Sequence, residues 1–338
     1  MSLRVGIAGF GVVGQRRRTY IDAHPEMQTV AVADQRYEAD GVFDDGVRYY
    51  KRFDELLNED LDALFVCLTN DVAAEVTRRG LQQKFHVFCE KPPGRTVEEV
   101  LDVRVVEDAH PDQVLKYGFN HRYHDSVQAA LNIVKSGDLG RVLNIKGNYG
   151  KSAIINFESD WRTKRSIAGG GILLDQGIHM VDLMRLFAGE FEEVFSFVSN
   201  DYWKHDVEDN AYALMRSDTG IVAMLHSTAT QWRHRFNLEM ALEEGMIVLA
   251  GLLTGSKSYG AETMTIAWRS DKSDGDPREQ ITRYNSDPSW QREIDEFADA
   301  ILHGTPISNG SSADALATME LVYRIYRADP DWRSLWEL

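Results

Sequence analysis

The stretch Val5-Gly6-Ile7-Ala8-Gly9-Phe10-Gly11-Val12-Val13-Gly14 determines the N-terminal fold, because it places a Gly-x-Gly-x-x-Gly motif between an apolar strand and a helix. In such a motif Gly9 permits a tight turn, Gly11 lets the backbone approach a pyrophosphate, and Gly14 lets helix and strand pack closely. The diphosphate then binds free N–H groups at the positive end of the helix. The motif therefore predicts a dinucleotide site at the start of the chain.

An aspartate at the end of the second predicted strand indicates which dinucleotide is bound. Asp34 lies 20 residues after Gly14, the distance at which a carboxylate meets the ribose hydroxyls. The same carboxylate repels a 2′-phosphate, so we expect NAD, with NADP less favoured. Arg36 leaves this open because it is placed to contact a 2′-phosphate, and Asp34 also suits a simple turn. The basic run 16–18 is interpreted as a solvated helix face rather than a phosphate site.

The pattern of apolar runs changes along the chain. Up to residue 119, short apolar runs alternate with helical segments, which predicts a parallel sheet with crossover helices. From Arg141 onward, longer β-type runs joined by turn signals predict an antiparallel sheet. We therefore predict an α/β Rossmann domain at 1–119 and an α+β domain at 120–338, whose C-terminal helices have the option of packing back on the first domain.

The composition excludes several classes of protein. The net charge of −16 argues against a nucleic-acid partner, since phosphate backbones require a basic surface. No apolar run approaches the roughly 18 residues of a membrane helix, and the N-terminus has no secretory pattern, so we expect no membrane partner and a cytoplasmic location. Cys67 and Cys89 are interpreted as buried free thiols, and no metal site is predicted.

Two further segments carry residues suited to chemistry. Lys91, in the run Cys89-Glu90-Lys91-Pro92-Pro93-Gly94, follows a strand at the sheet edge where the nicotinamide is expected, although position alone favours a surface lysine in a stiff turn. In the run 168–183, Asp175 and His179 are four residues apart and share a helix face, so the carboxylate is placed to make the imidazole more basic. A helix salt bridge or half a metal site is the plainer reading of that spacing alone.

These motifs in this order resemble the glucose-fructose oxidoreductase / inositol dehydrogenase / MocA family. Smaller matches occur at Gly118-Phe119-Asn120 with Arg122, at Asp160-Trp161-Arg162 and at Val207-Glu208-Asp209-Asn210. The resemblance implies an NAD-dependent dehydrogenase acting on a secondary alcohol of a sugar, cyclitol or sugar derivative. It also implies a second domain with an open, mostly antiparallel sheet, whose outer face commonly forms homodimers or homotetramers.

The resemblance assigns roles to individual positions. Lys91 matches the family's active-site lysine, Asp175 its substrate-orienting aspartate and His179 its usual acid or base. The substrate-binding positions are Trp161, Arg162 and Arg122, with Tyr149 and Lys151 as further pocket candidates. The expected cofactor contacts are Gly9, Phe10, Gly11, Val12, Val13, Gly14, Asp34, Thr69, Glu90 and Lys91.

The sequence departs from the family at two points and leaves two other functions open. Thr69-Asn70-Asp71 replaces a common Thr-Pro followed by histidine, and Pro92-Pro93-Gly94 replaces Pro-Leu-Ala. One alternative is a glycosidase that uses NAD transiently and carries nearly the same residues. The other is a non-catalytic, NAD-responsive binding protein, which would have no need of Lys91, Asp175 and His179 together. The sequence does not identify the substrate or decide whether Lys91 or His179 transfers the proton.

Overall fold

The computed structural model describes residues 2–151, 161–254, 259–270 and 276–338. It divides into two compact units. Unit 1 comprises Met1–Asn120, Ser166–Gly169 and Trp290–Met319. Unit 2 comprises His121–Arg165, Gly170–Ser289 and Glu320–Leu338.

Unit 1 contains a seven-stranded sheet in the order β3-β4-β2-β1-β5-β6-β7, parallel except for the β3–β4 pair. This confirms the predicted Rossmann architecture. The strands are β1 (Leu3–Ala8), β2 (Met27–Ala33), β3 (Gly41–Val42), β4 (Arg48–Tyr50), β5 (Ala63–Val66), β6 (His86–Glu90) and β7 (Leu115–Gly118).

Unit 2 contains an eight-stranded sheet in the order β15-β14-β13-β12-β8-β11-β10-β9, antiparallel except for the β8–β11 pair. The predicted mostly antiparallel sheet is confirmed. The strands are β8 (Val142–Gly150), β9 (Phe191–Ser199), β10 (Asn210–Ser217), β11 (Val222–Thr228), β12 (Arg235–Leu242), β13 (Gly245–Ala250), β14 (Glu262–Trp268) and β15 (Glu279–Tyr284).

The short α-helices at 165–168 and 330–336 were not anticipated from the sequence. Asp329 caps the second of them through hydrogen bonds from the N–H groups of Asp331 and Trp332, a signal the sequence carries in the N-cap aspartate followed by proline. The helices are α1 (Val12–Ala23), α2 (Phe53–Leu56), α3 (Asn70–Gln82), α4 (Val97–Asp108), α5 (Asp125–Ser136), α6 (Arg165–Ala168), α7 (Ile178–Ala188), α8 (Ser289–His303), α9 (Ser312–Ala328) and α10 (Pro330–Trp336). Among the described residues, none of these helices is long and apolar enough to cross a membrane.

The central strands of unit 1 are hydrophobic on both faces, as a parallel sheet requires. All four residues of β5 are fully buried. Phe65 on β5 stacks on Phe88 of β6 with 4.8 Å between ring centroids, and both rings meet the edge of Phe297 on α8. This aromatic cluster packs α8 against the sheet and so fixes the carboxyl ends of β5 and β6.

The interpretation of residues 16–18 as a solvated helix face is wrong for Arg17. Its side chain is fully buried, with Nε 2.6 Å from a carboxylate oxygen of Glu90 and Nη2 2.7 Å from one of Glu293. The guanidinium lies between the rings of Phe88 and Trp290, 4.4 and 4.2 Å from their centroids. Burial alone would lower the pKa of Arg17, but the two carboxylates raise it above the ordinary arginine value.

The Arg17→Ala substitution is expected to lower the free energy of unfolding by about 3–5 kcal/mol, because it leaves the buried Glu293 carboxylate without its cation. Urea denaturation of the full chain measures this. The Arg18→Ala variant, which removes a partly exposed arginine from the same helix, is the matched control and should cost far less. An equal loss of unfolding free energy in both variants would show that the buried ion pairs of Arg17 contribute no more than the partly exposed ones of Arg18.

Candidate active site

The glycine loop of unit 1 has the geometry that a dinucleotide requires. A Cβ on Gly9, where φ is +91°, would lie 2.3 Å from the carbonyl oxygen of Cys67, and one on Gly14 would lie 2.1 Å from that of Gly9. A Cβ on Gly11 would meet nothing within 4 Å. Gly11 is also the N-cap of α1, and no side chain caps this helix. Gly9 and Gly14 therefore serve local packing, whereas Gly11 leaves space beside exposed helix N–H groups that suits a diphosphate.

Asp34 lies at the end of β2 and is almost buried. Its carboxylate accepts hydrogen bonds from the backbone N–H of Phe10 at 3.0 Å and from the backbone and guanidinium of Arg36 at 2.8–3.0 Å. Burial raises the pKa of Asp34, but the hydrogen bonds and charge of Arg36 outweigh it and lower the pKa below its usual value. Asp34 is thus an ionised acceptor beside the loop, and the Arg36 side chain covers it.

The predicted cofactor residues of unit 1 gather at one edge of its sheet. Gly9, Asp34 and Lys91 follow the carboxyl ends of β1, β2 and β6, which run parallel, and Thr69 lies three residues after β5 as the N-cap of α3. Ligands of open α/β sheets bind at this edge. Glu90 forms an ion pair with Arg17 and so has a structural role beside Lys91, while its role as a cofactor contact stays a prediction.

Asn70 is a polar residue of this edge that the sequence reasoning noted only as a departure from the family pattern. It is buried and donates a hydrogen bond from Nδ2 to the carbonyl oxygen of Ala168 at 2.7 Å. Cys67, predicted as a buried strand residue, lies one residue beyond β5 and is half-buried, while Cys89 is buried within β6. Both are free thiols.

In unit 2, Glu208 anchors the backbone that leads into the segment carrying Asp175 and His179. Its carboxylate accepts hydrogen bonds from the N–H groups of Gly171 and Leu173 at 2.7 and 2.9 Å and from the hydroxyl of Tyr326 at 2.8 Å. A Cβ on Gly171 would lie 2.1 Å from the carbonyl oxygen of Glu208, so a glycine is required there. Full burial raises the pKa of Glu208 to about 7. Sequence reasoning quoted this residue without giving it a role.

The helix on which Asp175 and His179 were predicted to share a face is not continuous α-helix. Residues Leu173–Gly177 form a π-helical turn, and α7 begins at Ile178. Such turns are rare and often occur at functional sites. Asp175 lies within the turn, which changes the α-helical register from which its convergence with His179 was predicted.

Asp175 lies between two cationic side chains. The Nζ of Lys151 is 3.2 Å from one carboxylate oxygen, and the Nε of Arg162 is 3.7 Å from the other. Lys151 is buried, whereas Arg162 is partly exposed and lies over the ring of Trp161, 4.5 Å from its centroid. The structure thus brings the predicted substrate residues Trp161 and Arg162 together with Asp175. Asp160, quoted with them, lies outside the described residues.

His179 occupies the first turn of α7 and is 4% exposed. Its ring stacks on that of His121, with 3.7 Å between centroids and 11° between planes. The Nε2 of His121 lies 3.0 Å from the hydroxyl oxygen of Tyr149. Sequence reasoning missed His121, because its neighbours Asn120 and Arg122 were quoted and no periodicity links it to His179.

Arg122, which was predicted to bind substrate, forms a buried ion pair with Asp182, and its contact with substrate stays a prediction. Its Nε and Nη2 donate to the two carboxylate oxygens of Asp182 at 2.8 and 2.6 Å. Asp182 is one turn beyond His179 on α7, so this bidentate pair holds the helix that carries the histidine. No group of three or more His, Cys, Asp or Glu side chains suited to a metal occurs among the described residues.

Proteins named as sugar dehydrogenases are similar to this chain. Levoglucosan dehydrogenase of Pseudarthrobacter phenanthrenivorans is 33% identical over 144 residues, which are 41% of this chain and 36% of that enzyme. D-xylose 1-dehydrogenase (NADP(+)) 2 of Haloferax volcanii is 26% identical over 94% of this chain and 95% of that enzyme. The solved structure of levoglucosan dehydrogenase in complex with NADH covers 98% of both chains with a TM-score of 0.83 and 23% identity, which shows a common fold.

Two family descriptions match the chain in the predicted order. "Oxidoreductase family, NAD-binding Rossmann fold" matches residues 3–117, and "GFO/IDH/MocA C-terminal domain" matches residues 127–248. The first range contains the glycine loop, Asp34 and Lys91, and the second contains Asp175 and His179. The chain therefore belongs to the GFO/IDH/MocA family of NAD-binding oxidoreductases.

Proposed function

We propose that this protein is an NAD-dependent dehydrogenase that oxidises a secondary alcohol of a sugar, cyclitol or sugar derivative. The observation that carries the proposal is the arrangement around Asp175 and His179 in unit 2. The Asp175 carboxylate offers acceptors to neighbouring hydroxyls, and Lys151 and Arg162 beside it offer donors. The buried His179 imidazole is suited to take a hydroxyl proton. The dehydrogenase names of the relatives support the same class of substrate.

The reaction removes two hydrogens from one CH–OH group and leaves a carbonyl. In the proposed mechanism His179 takes the hydroxyl proton as the C–H bond breaks. Bound NAD supplies the acceptor for the hydride from that carbon. Lys91 donates a hydrogen bond to the reacting oxygen and stabilises its developing negative charge. Asp175 and Arg162 bind adjacent hydroxyls and thereby orient the reacting carbon.

The His179→Ala and Lys91→Ala variants are each expected to lose at least about a hundredfold in kcat, because each removes a group that acts on the reacting oxygen. NAD binding, measured by fluorescence titration of the reduced cofactor, should persist in both. His303→Ala and Lys135→Ala, which change exposed residues, are the matched controls. Unchanged turnover in both site variants would remove this assignment.

The substrate is tested by incubating the protein with NAD, and separately with NADP, against polyols, aldoses, sugar acids and nucleotide sugars. Growth of absorbance from the reduced cofactor with one class supports the dehydrogenase. Release of sugar from an aryl glycoside without net reduction would instead identify a glycosidase with transient redox. Cofactor binding with neither reaction would favour the binding protein that the sequence left open.

The cofactor preference depends on the pair formed by Asp34 and Arg36. Asp34 alone disfavours a 2′-phosphate through like-charge repulsion, and Arg36 offsets that repulsion. The Arg36 side chain is 64% exposed, so it is free to turn from Asp34 toward an added phosphate. We therefore propose NAD as the preferred cofactor, with residual NADP binding that requires Arg36.

The Arg36→Ala variant is expected to weaken NADPH binding about tenfold or more while NADH binding stays within about threefold, because only the phosphate loses its cation. Fluorescence titrations with both reduced cofactors measure the two dissociation constants. Arg52→Ala removes an equally exposed arginine of unit 1 that is paired with Asp54 and serves as the control. An unchanged ratio of the two constants would contradict the role given to Arg36.

We also propose that the outer face of the unit 2 sheet forms a homodimer or homotetramer. Large apolar side chains are exposed on this face and line a concavity of about 840 Å³. A contiguous exposed apolar patch of this kind is typical of a protein–protein interface. An exposed apolar face of this kind suits a twofold contact between identical chains, because such a contact buries the same patch on both chains. The residues are Phe195 and Phe197 on β9, Tyr212 and Leu214 on β10, and Met224 on β11.

The Leu214→Glu substitution is expected to reduce the mass in solution at least twofold, because it places a charge in the middle of this face. Size-exclusion chromatography with light scattering measures the mass. The Val105→Glu variant changes a residue of α4 that is 70% exposed and should leave the mass unaltered. A monomeric parent protein, or an oligomer that survives Leu214→Glu combined with Phe197→Glu, would exclude this interface.

We propose a cytoplasmic location because the two cysteines are not joined in a disulfide. Cys67 and Cys89 are both free thiols, which suits a reducing compartment where disulfides are rare.

A further inference from the structure

Unit 2 contains a pair of buried histidines in face-to-face contact. The rings of His121 and His179 are separated by 3.7 Å between centroids and inclined by 11°, and the two residues are 5% and 4% exposed. Two neutral aromatic rings avoid a direct face-to-face arrangement because their π faces repel each other. A cationic ring over a neutral one is attracted instead. This geometry therefore suits a pair that shares one positive charge.

His121 is held in place by contacts from several elements. Its Nε2 lies 3.0 Å from the hydroxyl oxygen of Tyr149 on β8. Its ring meets that of Phe236 on β12 edge to face, with 6.1 Å between the ring centroids. These contacts fix the plane of His121, and the stacking contact transmits that plane to His179. Among the described residues, the titratable and charged groups near the pair include His124, whose ring centroid lies 5.6 Å from that of His121, and Glu262, which is paired with His124. They also include Tyr259, which is hydrogen-bonded to Tyr149, the nearby Asp175, and the Arg122–Asp182 ion pair on the neighbouring turns.

Electrostatics limit the protons that this pair holds. Two imidazolium charges at 3.7 Å repel each other strongly enough to make the doubly protonated pair about a thousandfold rarer than for two independent rings. Protonation of one ring therefore suppresses protonation of the other. His179 is able to accept a proton from a substrate only while His121 is neutral.

We propose that His121 is a positioning residue for His179, which holds its ring plane by stacking and limits the pair to one proton. The proposal rests on the proposed function only for its consequence on catalysis, since the proton coupling is a property of the protein alone. His121 makes no proton transfer itself, because stacked rings do not direct an N–H of one at a nitrogen of the other. It acts through the orientation and proton affinity of His179.

Histidine-labelled NMR of the full chain tests the coupling without any substrate. The His179 and His121 signals are assigned by their loss in His179→Ala and His121→Phe, and the ring shifts are followed from pH 5 to 9. In the parent protein the signals of both rings should shift together as the pair takes up its first proton. The second protonation should occur below pH 5, outside the titrated range. In His121→Phe, which keeps a stacked ring that does not titrate, His179 should follow a single independent step. An identical His179 titration in both proteins would overturn the proposal.

Two controls separate coupling from misfolding. His121→Gln keeps a hydrogen-bonding group toward Tyr149 and replaces His121→Phe if that variant does not fold by circular dichroism. It should give the same single-step titration of His179. His303→Gln removes a histidine of α8 that is 63% exposed and should leave the His179 titration as in the parent.

The kinetic readout separates this proposal from the proposed function. In His121→Ala, which removes the stacking ring, kcat should fall about tenfold or more with little change in KM, and the acid limb of the kcat/KM profile should move. His121→Phe should restore most of kcat because it restores stacking. Coupled titration in a protein without dehydrogenase activity would retain the proposal and remove the proposed function. Dehydrogenase activity in a protein whose two histidines titrate independently would support the proposed function and overturn the coupling of His121 and His179.

Discussion

The buried charge of Arg17 is the constraint on which unit 1 depends. Its guanidinium binds Glu90, the residue before Lys91, and Glu293 on α8, and it lies between two aromatic rings. A buried arginine without carboxylates would cost several kcal/mol, so neither partner is replaceable alone. Because Arg17 is one turn beyond Gly14 on α1, the same contact ties the dinucleotide loop to the lysine that follows β6. The buried ion pair thus fixes the glycine loop and the Lys91 segment relative to each other at the sheet edge.

Unit 2 uses a second buried carboxylate for the same purpose. Glu208 binds the N–H groups of Gly171 and Leu173 and thereby fixes the start of the π-helical turn that carries Asp175. From the other side, the bidentate Arg122–Asp182 pair fixes α7 beyond His179. Both supports are polar, directional contacts in a desolvated environment, where they position the backbone more narrowly than apolar packing does. The two residues proposed for substrate chemistry therefore lie between two fixed points.

Sequence reasoning predicted the parts of this molecule that follow from local rules. The turn at Gly9 and the open N-terminus of α1 follow from backbone sterics. The acid at the end of β2 follows from its spacing of 20 residues after Gly14. The contacts of Arg17 and Glu208 were missed because they join residues more than 30 positions apart, and one charged side chain on an apolar helix face leaves no periodic signal by itself. Gly14, Arg17 and Ile21 do share one buried face of α1, which is the single clue that the sequence offered. The π-helical turn was missed because its extra residue is not encoded in the pattern of apolar positions.

The contacts of Asp175 bear on the class of substrate. Lys151 and Arg162 both direct their donors at this one carboxylate, so two cationic side chains and one anionic side chain meet at one place. Such a set of donors and acceptors matches neighbouring hydroxyls, each of which both donates and accepts. The ring of Trp161, held by its contact with Arg162, adds an apolar surface of the kind that packs against the C–H face of a sugar. The local chemistry is therefore consistent with the polyhydroxylated substrate proposed above, whose neighbouring hydroxyls would meet both donors and acceptors at this place.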